Sequence, residues 1–228
     1  MTFYRSCRWI VRQIARSVFG VTVHGAHHVP AHGPALLAVN HVSALDPFVV
    51  GSALRRPLWF MAKEELFRPR ALGAVFRGLH AFPVRRDRAD LSTIKRTLAL
   101  LREGQAVMIF PEGTRQDGIT FGPVRPGVAV LAARAGVPVV PAYHEGIGRI
   151  LPRGARWPRR HPVTVCFGPP IQPSPAVLSD PAAAAAFGEH LRAQWSLLRS
   201  WAARGESALI PARGGDPAPT PRGEVPSV

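Results

Sequence analysis

Ala35-Leu36-Leu37-Ala38-Val39-Asn40-His41-Val42-Ser43-Ala44-Leu45-Asp46-Pro47 reads as an apolar run, a short polar loop and a helix start. Five apolar residues without polar alternation mark a strand buried on both faces. Asp46 before Pro47 is a strong helix-start signal, with Asp as the cap and Pro in the first turn, where its missing N–H costs nothing. Alternatively Ser43 is the cap and Asp46 the acidic partner of a capping box. The same grammar returns at Ala106-Val107-Met108-Ile109-Phe110, an apolar run that Pro111-Glu112-Gly113-Thr114-Arg115 breaks sharply. Both polar loops therefore emerge at strand ends, the edge where open α/β sheets bind ligands.

Working outward, further strands are expected at Val21–His24, Leu58–Ala62, His80–Arg85, Val137–Tyr143 and Val163–Phe167. Helices are expected at Pro47–Leu54, over Glu64–Leu79 with an interruption at Pro69, and at Leu91–Arg102, Gly127–Arg134 and Pro181–Ala202. Gly104 and Gly136 stand where C-terminal caps belong. In the last helix Phe187, Leu191, Trp195 and Leu198 form one stripe, most simply a packing face. Alternating strands and helices give a single α/β domain with a mixed or largely parallel sheet flanked by helices. We assign residues 1–20 to an N-terminal amphipathic helix, 21–203 to the main domain and 204–228 to a disordered Pro/Gly-rich tail.

The N-terminal segment has two faces. Arg5, Arg8, Arg12 and Arg16 share one side, and Phe3, Cys7, Ile10, Val11, Ile14 and Val18 the other, with Trp9 at the boundary. That pattern suits a helix lying in lipid headgroups, and equally a surface helix covering its own core. The chain carries 29 basic residues against 14 acidic, a net charge of +15, which draws it to polyanions such as nucleic acid or an anionic leaflet. Charge alone does not choose between them. Cys7 and Cys166 are too few for a disulfide framework and read as reduced thiols. With no secretory signal pattern and no run of about 20 apolar residues, the expectation is a cytoplasmic protein that lies on a membrane. His24, His27, His28 and His32 match no common zinc spacing and have no cysteine beside them, so no metal is expected.

The chemistry concentrates in a few loops. A carboxylate on one nitrogen of His41 would fix its tautomer and leave the other nitrogen as a base, and Asp46 is near enough in sequence to serve. By itself His-x4-Asp is also consistent with a turn histidine beside a capped helix. Gly113 permits backbone approaches that a Cβ blocks, and Arg115 offers a planar fork for phosphate oxygens. Ala81-Phe82-Pro83-Val84-Arg85-Arg86 again runs from an apolar stretch into arginines, and Val137-Pro138-Val139-Val140-Pro141-Ala142-Tyr143 reads as a buried strand or the wall of an acyl pocket.

Taken in order, these four blocks resemble the glycerolipid acyltransferase family, of the bacterial lysophosphatidic acid acyltransferase type, over roughly Val21 to Phe167. The resemblance implies an α/β acyltransferase fold and transfer of a fatty acyl group from acyl-CoA or acyl carrier protein to a lysophospholipid. It makes His41 the general base and Asp46 its orienting partner. It implies phosphate binding by Arg86, placement of the acceptor by Glu112, Gly113, Thr114 and Arg115, and a role beside the donor for Pro141. It requires no cofactor beyond the thioester co-substrate, and its partner is an anionic membrane surface on the inner face of the cell membrane. Two departures bear on the acceptor: Arg85 stands where an acidic residue is frequent, and Tyr143-His144-Glu145-Gly146 is unusually polar. A nucleic-acid-binding protein is the competing class, but no helix-turn-helix, RNA-recognition or zinc signature accompanies the scattered arginines. An inactive membrane scaffold is disfavoured by the intact His41, Asp46, Glu112 and Arg115.

Overall fold

The structure is a computed structural model that describes residues 19–84, 91–152, 155 and 157–205, together with Ser6, Trp9 and Gln13. Most of the N-terminal amphipathic segment, Arg86 and nearly all of the C-terminal tail therefore lie outside the described residues.

Seven strands form one sheet: β1 (Val21–His24), β2 (Ala35–Val39), β3 (Trp59–Lys63), β4 (Ala81–Val84), β5 (Ala106–Ile109), β6 (Val139–Glu145) and β7 (Val163–Phe167). Their spatial order is β1-β7-β6-β2-β5-β3-β4. Five strands run parallel from β6 to β4, while β7 pairs antiparallel with β6 and parallel with β1. The sheet is thus mixed, as the sequence allowed. The reversal falls at a connection that lacks a full crossover helix, as does the one from β1 to β2, which carries only the 3-10 turn Ala26–His28. Between β6 and β7 there is only the short helix α5 (Ile147–Ile150) and irregular chain, whereas parallel neighbours need a long crossover.

The central strand explains its own composition. Every residue of β2 is buried. Ala35, Leu37 and Val39 enter the core beneath α1 (Asp46–Ala53), which contributes Val49 and Val50. Leu36 and Ala38 enter the opposite core, shared with α3 (Leu91–Arg102), α4 (Gly127–Ala135) and α6 (Pro181–Arg204). Strand side chains alternate between faces, so a strand covered on both sides must be apolar throughout. Burying Leu36 and Leu37 contributes about 1.5–3 kcal/mol each. The expected stripe on α6 is buried as a unit, and Trp195 Nε1 donates to the Ala38 carbonyl at 3.1 Å.

Local signals set the boundaries. Gly104 and Gly136 take positive φ, 73° and 64°, and end α3 and α4 in left-handed caps. Pro69 divides its segment into a 3-10 turn, Glu64–Phe67, and α2 (Arg70–Gly78). The two readings of the α1 start are also decided. Asp46 lies inside the helix with no side-chain bond to the amides ahead of it. Its carboxylate reaches back instead to the Ser43 amide at 2.9 Å. That is one half of a capping box, so Asp46 does not act as the cap itself.

Candidate active site

Parallel pairing brings three strand ends together. Ala38 is in register with Ile109 of β5, and Val39 with Ala142 of β6. The residues that follow, His41 after β2, Phe110 after β5 and His144 near the end of β6, therefore share one edge of the sheet.

His41 and Asp46 meet as the spacing foretold. His41 Nδ1 lies 2.8 Å from Asp46 Oδ2, and both side chains are buried. The same oxygen accepts the amides of Val42 at 2.8 Å and Ser43 at 2.9 Å. A carboxylate oxygen can only accept, so Nδ1 carries the proton and Nε2 presents a lone pair. Nε2 has no hydrogen-bond partner among the described residues. The Phe110 ring stacks on the imidazole, 4.1 Å between centroids and 22° between planes. Burial by itself pushes the Asp46 carboxyl upward, but the attraction of His144 and the hydrogen bonds from the loop hold it well below the usual carboxylate range. At neutral pH the imidazole of His41 faces a carboxylate.

The loop after β5 grips the backbone of His41 from both sides. Glu112 Oε2 accepts the His41 amide at 2.7 Å, and the Gln116 amide donates to the His41 carbonyl at 2.7 Å. The other Glu112 oxygen accepts the Gly122 amide at 2.9 Å. Both oxygens of this buried side chain are thus engaged by backbone. Its burial raises the carboxyl above the ordinary value, partly offset by the two amides. The loop turns at Gly113, whose φ is 74° and whose N–H donates to the Phe110 carbonyl at 2.9 Å. A Cβ there would lie 2.6 Å from the guanidinium of Arg125. Arg115 is half-buried and Thr114 exposed on the same turn.

Pro141 lies elsewhere. It is a buried residue inside β6, in register with Ala38, and its carbonyl accepts the Gly168 amide at 2.8 Å. Two residues escaped the sequence reading. Arg125, ten positions beyond Arg115, rests against Gly113. His144 lies 3.4 Å from the second Asp46 oxygen through its Nε2. Only the polar character of Tyr143-His144-Glu145-Gly146 signalled the latter. Among the histidines near the N-terminus, His28 Nδ1 bonds the Phe167 carbonyl at 2.9 Å and helps fix the end of β7.

The family model described as Acyltransferase matches residues 20–145, which contain both polar loops. The chain is 33% identical over 144 residues to the 1-acyl-sn-glycerol-3-phosphate acyltransferase of Bacillus subtilis (strain 168), covering 63% of this chain and 71% of that protein. It is 32% identical over 160 residues to the chloroplastic 1-acyl-sn-glycerol-3-phosphate acyltransferase BAT2 of Brassica napus, covering 68% of this chain and 46% of the plant protein. Its fold is that of the crystal structure of the 1-acyl-sn-glycerophosphate (LPA) acyltransferase PlsC from Thermotoga maritima. That match has a TM-score of 0.71 at 22% identity and covers 86% of this chain and 80% of the other. The matched region, the fold and the paired histidine and aspartate converge on one conclusion: this chain is an enzyme of the Acyltransferase family.

Proposed function

We propose that the enzyme transfers a fatty acyl group from an acyl thioester, acyl-CoA or acyl carrier protein, to the free hydroxyl of lysophosphatidic acid or a related lysolipid in phospholipid synthesis. The observation that carries this reading is the His41–Asp46 pair, 2.8 Å apart, with Nε2 of His41 unpartnered among the described residues. Relatives named for 1-acyl-sn-glycerol-3-phosphate support the choice of acceptor.

The chemistry runs in two steps. His41 Nε2 takes the acceptor hydroxyl proton as the oxygen attacks the thioester carbonyl, and Asp46 stabilises the imidazolium. The tetrahedral intermediate then collapses, the C–S bond breaks, and the imidazolium returns its proton to the leaving thiolate. No acyl-enzyme forms, and the chain contains no Gly-x-Ser-x-Gly nucleophile elbow. Arg86 and Arg115 bind the acceptor phosphate in this scheme, with Gly113 and Thr114 shaping the turn. Glu112 serves the acceptor indirectly, by holding the His41 backbone. Pro141 serves through the packing of β6. The net charge of +15 supports a location on an anionic inner membrane leaflet. No helix among the described residues is long and apolar enough to cross a membrane.

Single-turnover transfer from labelled palmitoyl-CoA to lysophosphatidic acid in anionic vesicles tests the proposal. His41→Ala is expected to lose about 10²–10⁴ in rate. Equal rates for the variant and the wild type would refute His41 as the base. A wild type that binds vesicles and thioester but makes no product would refute lysophosphatidic acid as acceptor.

A further inference from the structure

One buried group beside the pair has no part in the scheme above. His144 is 1% exposed and sits on β6 two residues beyond Ala142 and four beyond Val140. Strand alternation puts all three on the face beneath α1, where Val140 and Ala142 are core residues. An aliphatic side chain would be the default at position 144. A polar group buried there needs partners to offset its lost hydration.

It has them on one side only. His144 Nε2 lies 3.0 Å from the Asn40 carbonyl oxygen and 3.4 Å from Asp46 Oδ1. Both are acceptors, so Nε2 carries the proton. Nδ1 is buried without a hydrogen-bond partner among the described residues. From the side of Asp46 the arrangement is equally one-sided. Oδ2 accepts three hydrogen bonds, whereas Oδ1 is buried with no hydrogen-bond partner among the described residues, and His144 Nε2 stands 3.4 Å from it. His144 is also locked to Asn40. The Asn40 Oδ1 accepts the His144 amide at 2.9 Å, and the Asn40 Nδ2 donates to the His144 carbonyl at 3.2 Å. Asn40 immediately precedes His41.

We propose that His144 is a positioning residue for acyl transfer: its Nε2–H holds the Asn40 carbonyl and faces Asp46 Oδ1, so that one carboxylate is oriented and shared between two imidazoles. The proposal rests on the reading of His41 and Asp46 as the catalytic pair. The ionisable groups facing this cluster are Asp46 from α1, His41 from the loop after β2, and Glu112 from the loop after β5. Without the N–H of His144, the full charge of Asp46 would act on His41 alone. The imidazolium would then be favoured, and the unprotonated base would be available only at higher pH.

The test compares three variants of the full chain in the vesicle assay, following kcat and kcat/KM against pH. His144→Gln keeps an N–H donor close to the position of Nε2, His144→Asn stops short of it, and His144→Phe removes it. His144→Gln is expected to stay within about threefold of wild-type kcat with the same acid limb. The Asn and Phe variants are expected to lose about tenfold in kcat with acceptor KM little changed, and their acid limb should move upward by about half a pH unit. An acid limb unmoved in the Asn and Phe variants, or a Gln variant as impaired as they are, overturns the proposal. If His144→Phe does not fold, the comparison of Gln with Asn decides. His41→Ala separates the two levels. A His41→Ala enzyme that is inactive while the limbs stay fixed rejects the role of His144 alone, and one that retains full rate rejects the catalytic pair itself.

Discussion

Asp46→Asn removes one negative charge while keeping nearly the same shape, and the structure says what that should do. Asp46 Oδ2 accepts from His41 Nδ1 at 2.8 Å, Val42 N at 2.8 Å and Ser43 N at 2.9 Å, while Oδ1 faces His144 Nε2 at 3.4 Å. The amide oxygen can take the place of Oδ2 and keep all three bonds, but the NH₂ group then meets the N–H of His144. With the opposite flip, NH₂ confronts two backbone N–H groups and drives His41 toward the wrong tautomer. The first orientation is the better one, so the loop should survive and the principal loss is charge. As His41 becomes imidazolium in the transition state, the missing carboxylate is worth about 4 kcal/mol at a charge separation of roughly 4 Å and an effective dielectric constant near 20. That corresponds to a fall in kcat of about 10³. The assay is single-turnover transfer at saturating acceptor, with a urea melt alongside. The carboxyl of Asp46 is held below its unfolded value, so its contribution to stability is present above the ordinary carboxylate range and disappears as pH falls below it. The stability gap between wild type and Asp46→Asn should therefore narrow in acid. A kcat within tenfold of wild type at neutral pH would refute the idea that charge develops on His41.

Glu112→Gln should act through the backbone, because both oxygens accept amides, those of His41 and Gly122. One amide must then face an NH₂ group, and urea melts should show a loss of about 1–3 kcal/mol. The carboxyl of Glu112 is raised in the fold, so its ionisation opposes folding as pH climbs through and above the ordinary glutamate value. The Gln variant should lack that decline. Gly113→Ala should cost about 1–2 kcal/mol from its positive φ alone and, because its methyl group would meet the Arg125 guanidinium, also weaken acceptor binding, read as a raised KM. The Cys166 thiol is buried and pushed up to about 12, chiefly by burial. In a Cys7→Ser background it should resist maleimide at pH 8 until denaturant is added, and labelling of the native protein would contradict its burial.

The fold and the centre of the site differ in how far their sequence neighbours explain them. His41 and Asp46 were recognisable because only four residues separate them and a helix start must fold the chain back between them. The apolar runs at β2 and β5 were recognisable because a strand covered on both faces cannot alternate. The role of Glu112 was not, since one of its partners lies 71 residues away and its carboxylate looks the same whether it meets substrate or backbone. Arg125 carried no pattern of its own. His144 registered only as unexpected polarity, because its partner Asn40 is 104 residues distant. Pro141 read equally well as a pocket wall or a buried strand residue, and its register with Ala38 places it inside the sheet.

By itself the sequence determined the alternation of strands and helices, the local pairing of His41 with Asp46, and the motif set that leads to the family. Those properties follow from short-range sterics, capping and hydropathy, which act within a few residues. Tertiary structure alone decided the order and direction of the strands, and so which strand ends became neighbours. It gave Glu112 to the backbone of His41 and His144 to Asn40 and Asp46. The reason is physical: a buried donor or acceptor must be satisfied by whatever the fold brings within reach, and that choice is made across the sheet.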